Sequence, residues 1–321
     1  MEAGSQRHWA YAMIADVTIE WTDTTWDPLV GCTRKSAACR HCYAEALTAA
    51  SAQDKQWGYG FAEVGPAGPS WTGAIALRED RLALPLAWDA PRRILVNALS
   101  DLFHESAPIE TIDRVFAIMA LAPRHIFQIL TKRPKIMQTY IADKATPGRI
   151  THAIDEIAPN PNAHAIAAWP LPNVWLGVTA ENQKEAERRI PVLLQTPAAV
   201  RWVAAEPLLE PLELKLGTWL RDAPQRVASS GIGPWLDWVV AGGEIGVDAQ
   251  PCHPDWARSL RDQCAKGGTA FYWRQWGEYI PTVGVTAGAG PEPIPLTWER
   301  LGARPATRTL DGFLHETFPE T

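Results

Sequence analysis

VWLGVTAEN, residues 174–182, is six apolar or small residues followed by a turn to Glu181 and Asn182, and then by QKEAERRIPVLLQ with helical spacing. A run apolar on both faces is a strand covered on both sides, as in a parallel sheet flanked by helices. Five further runs repeat the pattern: ILVNAL (94–99), HIFQIL (125–130), VRWVAA (200–205), LDWVVAGG (236–243) and TAFYWR (269–274). Between them, apolar residues three and four apart predict helices over 36–51, 108–121, 133–143, 181–195 and 254–266. With one more strand expected before residue 32, this alternation predicts an α/β protein with a parallel sheet, curled as a partial or complete (β/α) TIM-like barrel.

Each run ends in polar residues. Ser100 and Asp101 follow the first; Thr131, Lys132 and Arg133 the second; Glu181 and Asn182 the opening one; then come Glu206, Glu244, and Arg274 with Gln275 and Trp276. The C-terminal ends of parallel strands share one rim, so these residues converge on a single mouth, where such barrels do their chemistry. That convergence predicts an enzyme. Asp101, Glu181, Glu206 and Glu244 would repel one another there unless Lys132, Arg133, Arg274, a metal centre or a cationic ligand offsets them. The arrangement suits a ligand carrying both an amino group and a carboxylate.

The 321 residues, 46% of them hydrophobic and 16 of them tryptophan, have the composition of a globular protein. No apolar run is long enough to span a bilayer, and the first thirty residues lack the pattern of a secretory leader, so a cytoplasmic location and no membrane association are expected. A formal net charge of −6 argues against a wide basic face. A local basic groove is still open to TKRPK (131–135), Arg34, Lys35 and Arg40. Residues 1–17 read as an N-terminal extension, 18–280 as the barrel and 281–321 as a tail, with Gly-, Pro- and Ala-rich insertions at 53–73 and 144–172. Tryptophans 175, 202, 238 and 273 fall within strands and are expected in the core; Trp57, Trp71 and Trp276 are freer to face a ligand.

GCTRKSAACRHCYAE (31–45) holds three of the five cysteines, in C-x6-C-x2-C spacing. Crowding in one loop favours metal or cluster ligation over disulfides. Cys32, Cys39 and Cys42 leave a four-coordinate centre one ligand short, which fits either zinc with a distant fourth ligand or a [4Fe-4S] cluster with one open iron. His41, between two cysteines, reads as a supporting or surface residue. Cys252 and Cys264 read as core thiols.

Taken in order, IEWTDTTWDPLVGCTRKSAACRHCYAE, NALSDLFHE, ILTKRP, VWLGVTAEN, AAEPLLEPL, WVVAGGEIG and FYWRQWGEY resemble the motifs of the phage-associated, radical-SAM-like three-cysteine family of unknown function, found in phages and many bacterial genomes. The resemblance covers about residues 18–280 and the terminal LDG. It implies a radical-SAM-type barrel in which Cys32, Cys39 and Cys42 hold a [4Fe-4S] cluster whose open iron binds S-adenosylmethionine for reductive cleavage. Tyr43 would then pack beside the cluster or the adenine. Ser100, Asp101 and Glu181 would face the cofactor's amino group and ribose, with Glu206 and Glu244 as further rim contacts. Lys132 and Arg133 would pair with its carboxylate or with a substrate phosphate. A flavodoxin- or ferredoxin-like electron donor is implied as partner, and a nucleic acid or nucleotide as substrate; the rival expectation is a non-catalytic, zinc-stabilised nucleic-acid-binding module. Three departures stand out: the first cysteine gap is longer than the usual C-x3-C-x2-C, Ile245 and Arg274 replace a serine and a lysine common in that family, and Gly242-Gly243-Glu244 comes two hundred residues after Cys42. The two glycines are expected to leave room for a ligand at the rim.

Overall fold

The computed structural model describes residues 19–51, 57–159, 166, 168–216, 236–246, 248–283, 296–302 and 307–320; the extension 1–17 lies outside them. Seven strands form one wholly parallel sheet in sequential order: β1 (Thr24–Trp26), β2 (Arg93–Val96), β3 (Ile126–Thr131), β4 (Val174–Thr179), β5 (Val200–Ala205), β6 (Trp238–Ala241) and β7 (Ala270–Trp273). The helices are α1 (Tyr43–Ala50), α2 (Ile109–Leu121), α3 (Pro134–Ala142), α4 (Thr146–Ile157), α5 (Gln183–Leu194) and α6 (Pro254–Gly267). This is a parallel half-barrel; among the described residues β1 and β7 are not paired with each other.

Alternation along each strand separates two apolar layers. Outward residues such as Ile94, Phe127, Leu176, Val203, Val239 and Trp273 form one large core with Phe116 of α2, Ile190 of α5 and Leu260 of α6; Cys264 and Cys252 lie fully buried in it. Inward residues Leu95, Trp175, Trp202, Trp238 and Tyr272 meet Trp21 in a second cluster. The sheet therefore curls enough for β2 and β7 to share one interior. That interior is largely tryptophan: ring centroids lie 5.1 Å apart for Trp21 and Trp202, 5.3 Å for Trp202 and Trp238, and 5.9 Å for Trp175 and Trp238. Gly177 makes space for them, since a Cβ there would stand 2.3 Å from the Trp202 ring.

Three expectations change. The stretch 144–172 contains α4, whose Ile150, Ala153 and Ile154 are buried in the outer core; an apolar stripe outweighed the flanking Pro and Gly. The stretch 53–73 carries an antiparallel hairpin, Ala62–Gly65 with Gly68–Trp71. The helix expected over 36–51 divides into a short 3-10 turn, Ala37–Cys39, and α1, because Cys42 is extended. Residues 307–318 run along the outer edge of β7, where Trp273 N–H donates to His315 O at 2.8 Å and Thr317 N–H to Phe271 O at 3.2 Å. Phe318 then packs on Trp238 and under the Arg93 guanidinium, 4.0 Å from the ring centroid. The outer edge of β7 is thus covered by the chain's own later residues.

Candidate functional site

The cysteine loop follows β1 and lies across the C-terminal mouth, braced from strand end after strand end. Thr33 receives the Arg133 Nη2 donor at 2.8 Å and is hydrogen-bonded to the His104 ring at 2.8 Å. Arg34 forks onto the buried Glu45 (2.7 and 2.9 Å), which also accepts Trp71 N–H and so ties the loop to the hairpin. Lys35 pairs with Glu105. The Ala38 N–H donates to Glu181 Oε1 at 3.2 Å, the His41 ring meets Glu244 Oε1 at 3.1 Å, and the Tyr43 hydroxyl donates to Ala98 O at 2.8 Å. The ends of β2, β3, β4 and β6 all hold this one loop.

The rim residues named from sequence therefore have partners inside the protein. Asp101 accepts four hydrogen bonds, from Phe103 N, Thr131 Oγ1, Lys132 N and Arg133 Nη1. Arg133, only 4% exposed, joins Asp101 (2.9 Å), Glu105 (2.6 Å) and Thr33. Burial works to raise Glu105, but Lys35 and Arg133 outweigh it and hold its carboxyl down to about 2. Glu181 is wholly buried; burial again opposes ionisation, and Arg189 at 3.1 Å reverses the balance, leaving it below the usual carboxylate range. Glu206 pairs with Arg274, whose Nε reaches Glu20 at 2.8 Å. Glu244 also accepts Gln250 N–H at 2.9 Å. Ser100 donates to Leu29 O at 3.1 Å. Lys132 differs: its ammonium has no hydrogen-bond or ion-pair partner among the described residues, and its charge acts on Cys32 and Cys42.

Cys39 is buried and the other two thiols are half-buried. Cys39 Sγ accepts Lys35 N–H at 3.4 Å. Burial pushes the Cys32 thiol up to about 12, with Asp101 adding to the rise and Arg133 opposing it; burial also raises Cys42, against Lys132. Each of these two thiols lies close enough to another member of the trio to shift it. Among the described residues no three His, Cys, Asp or Glu side chains are drawn together as a metal cage. In kind, the donor set suits a thiophilic centre: three soft sulfurs on one loop, cations beside them, and every neighbouring carboxylate engaged elsewhere. Loading would require the sulfurs to close on a common point and lose their protons.

At Gly243 the expected room is filled by backbone, since a Cβ there would stand 1.9 Å from Trp276 O, and Gly277 (φ +83°) packs against Glu244 O; at Gly242 a Cβ would meet Glu206 Oε1 at 3.4 Å and Arg274 Cβ at 3.5 Å, which are ordinary contacts. Trp276 is largely buried, against Trp273 at 4.8 Å with its indole N–H on Thr309 O, and it lines a cavity of about 220 Å³ with Arg258, Ile280 and Asp311, among others. Trp57 lies under Arg81 and Trp71 is half-buried on the hairpin. A cleft of about 180 Å³ beside the loop is lined by Arg40, His41, Asn182, Glu210, Glu244 and Gln250, among others. Sequence reasoning passed over Glu45, His104 and Glu105, which brace the loop from outside the apolar runs, and Asp27, which ends β1. The signal for Asp27 was its place one residue past a strand, hidden because β1 is only three residues long.

A family model described as "Protein of unknown function (DUF5131)" matches residues 16–319. No curated protein and no solved structure matches the chain. Among the described residues no helix is long and apolar enough to cross a membrane.

Proposed function

We propose, of a chain that belongs to the DUF5131 family of proteins of unknown function, that it is a cytoplasmic radical-SAM-like iron–sulfur enzyme acting on a nucleic acid or nucleotide. Cys32, Cys39 and Cys42 would hold a [4Fe-4S] cluster, which when bound supplies the electron for reductive cleavage of S-adenosylmethionine. A flavodoxin- or ferredoxin-like protein would deliver that electron. The observation that carries the reading is the placement of a three-thiol loop over the C-terminal mouth of a parallel half-barrel, tied to the ends of four strands.

The chain's own residues have separable tasks in this reading. Asp101, Arg133 and Glu181 hold the loop through Thr33 and Ala38, fixing where the thiols sit. Lys132, unpaired and beside two of the thiols, offers the positive charge that favours thiolate and an anionic ligand group. Arg40 lines the adjoining cleft, where a substrate phosphate would meet it.

The test is anaerobic purification and reconstitution, iron and sulfide analysis, then an assay for 5′-deoxyadenosine with dithionite and S-adenosylmethionine. About four irons per chain and deoxyadenosine are expected, and Cys39→Ala is expected to lose both. Tightly held zinc in place of iron would make the loop a structural knuckle and the protein a zinc-stabilised nucleic-acid binder. Iron without cofactor cleavage would leave a cluster for structure or electron transfer only.

A further inference from the structure

The cleft beside the cysteine loop holds opposite charges that do not meet. Arg40, which is exposed, and Glu210, from the segment after β5, both line it, yet among the described residues neither makes an ion pair with the other or with any further group. Glu244, the second carboxylate of the cleft, is engaged on both oxygens, with His41 at 3.1 Å and the Gln250 amide at 2.9 Å. Glu210 is held by the first turn of α5, where its Oε1 accepts the Gln183 N–H at 2.7 Å. Asn182 caps the same helix: its Oδ1 accepts the Glu185 N–H at 2.9 Å, which leaves its side-chain NH2 without a partner among the described residues. Arg40 is held by the 3-10 turn that carries Cys39, its own N–H donating to Ala37 O at 2.9 Å. A carboxylate, an amide donor beside it and a free guanidinium therefore line one cleft of about 180 Å³, to which Ala37 and Leu209 add apolar surface.

Elsewhere in the mouth Asp101 has Arg133, Glu181 has Arg189 and Glu206 has Arg274; this cleft keeps one charge of each sign available. A ligand that satisfies it presents adjacent N–H donors to Glu210, an acceptor to Asn182 and an anionic group to Arg40. The volume suits a single ring system, since a cavity of about 150 Å³ takes up a benzene. Among the nucleic-acid bases guanine alone has two neighbouring donors, N1–H and N2–H, with the acceptor O6 next to them on the same edge. Adenine and cytosine set one amino donor beside a bare ring nitrogen, whose lone pair would face the carboxylate, and uracil and thymine flank a single N–H with two carbonyls. We propose that this cleft binds a single unpaired guanine, with Glu210 accepting from N1–H and N2–H, Asn182 donating to O6 and Arg40 holding a phosphate of the same strand. This assignment rests on the proposed nucleic-acid or nucleotide substrate and names its base. Because Arg40 directly follows Cys39, a guanine so held lies beside the cysteine loop.

The test is one of binding and needs no turnover. Fluorescein-labelled thymidine pentamers, with guanine, adenine, cytosine, thymine or hypoxanthine at the centre, are titrated with the full-length protein at low salt and followed by anisotropy. The guanine strand is expected to bind about tenfold more tightly than the adenine, cytosine and thymine strands. Hypoxanthine keeps N1–H and O6 but lacks the 2-amino group, so its strand should bind about tenfold more weakly than the guanine strand. Glu210→Gln retains an acceptor for the Gln183 N–H and removes the carboxylate, and it should bring the guanine and hypoxanthine strands to the same affinity. Arg40→Ala should weaken all five strands alike. Equal binding of the five strands, a guanine preference that survives Glu210→Gln, or no binding of any strand overturns the proposal. Iron and deoxyadenosine without a base preference would leave the proposed function standing and remove guanine from it, whereas a guanine preference that depends on Glu210 in a protein without iron would do the reverse.

Discussion

At the scale of the residue, the mouth is built from charges whose worth depends on who sits beside them. Asp27 has its carboxyl raised from 3.8 to about 6 by burial, so the folded state holds the proton more tightly than the unfolded state between those values. Stability is therefore lost as pH rises from about 4 to 6, and the whole penalty, about 3 kcal/mol, is present above that range. Asp27→Asn should raise Tm at pH 7.5 and leave it nearly unchanged at pH 4; an equal shift at both values would mean that the charge is not what costs stability. Glu181 behaves oppositely, held ionised by Arg189 and accepting the Ala38 amide. Glu181→Gln keeps an acceptor and should retain reconstituted iron, whereas Glu181→Ala should lower iron retention at least several-fold, read by metal analysis after gel filtration. The sequence showed these carboxylates because each ends an apolar run. It did not show their partners, since Arg189 lies nearly two helical turns into α5 and Arg133 reaches back to a loop a hundred residues earlier.

Elements made of long two-faced apolar runs, β3 to β5 above all, were legible because nothing but a buried parallel strand suits VWLGVT or VRWVAA. Shorter pieces were not. α4 was masked by its Pro147 and Gly148, which sit in the first turn where a helix tolerates them. The covering of β7 by residues 307–318 has no local signature at all, being fixed by backbone hydrogen bonds to His315 and Thr317. Thr317→Pro removes one of those donors and should destabilise the protein by about 1–3 kcal/mol, seen as a lower denaturant midpoint. Gly177→Ala should cost a comparable amount, because its methyl would collide with the Trp202 ring. If it is neutral in the same measurement, the interior packs more loosely than its ring distances imply.

Over the whole molecule, a net charge of −6 and a small set of exposed or half-exposed cations near the cysteine loop set a limit on how nucleic acid could be held. Arg40, Lys132 and Lys135 can neutralise few phosphates, so single-stranded DNA or RNA binding measured by anisotropy should show a shallow salt dependence, with a log–log slope of about −2. A steep slope would demand a basic face that the described residues lack. The barrel's tryptophan-lined interior carries a different consequence. Trp21, Trp202 and Trp238 stand in mutual ring contact and Trp175 in contact with Trp238, so they will pass excitation energy among themselves and emit as a coupled set. Blue-shifted emission and strong near-ultraviolet dichroism should therefore disappear when the sheet uncurls, giving the fold an optical gauge that needs no added dye.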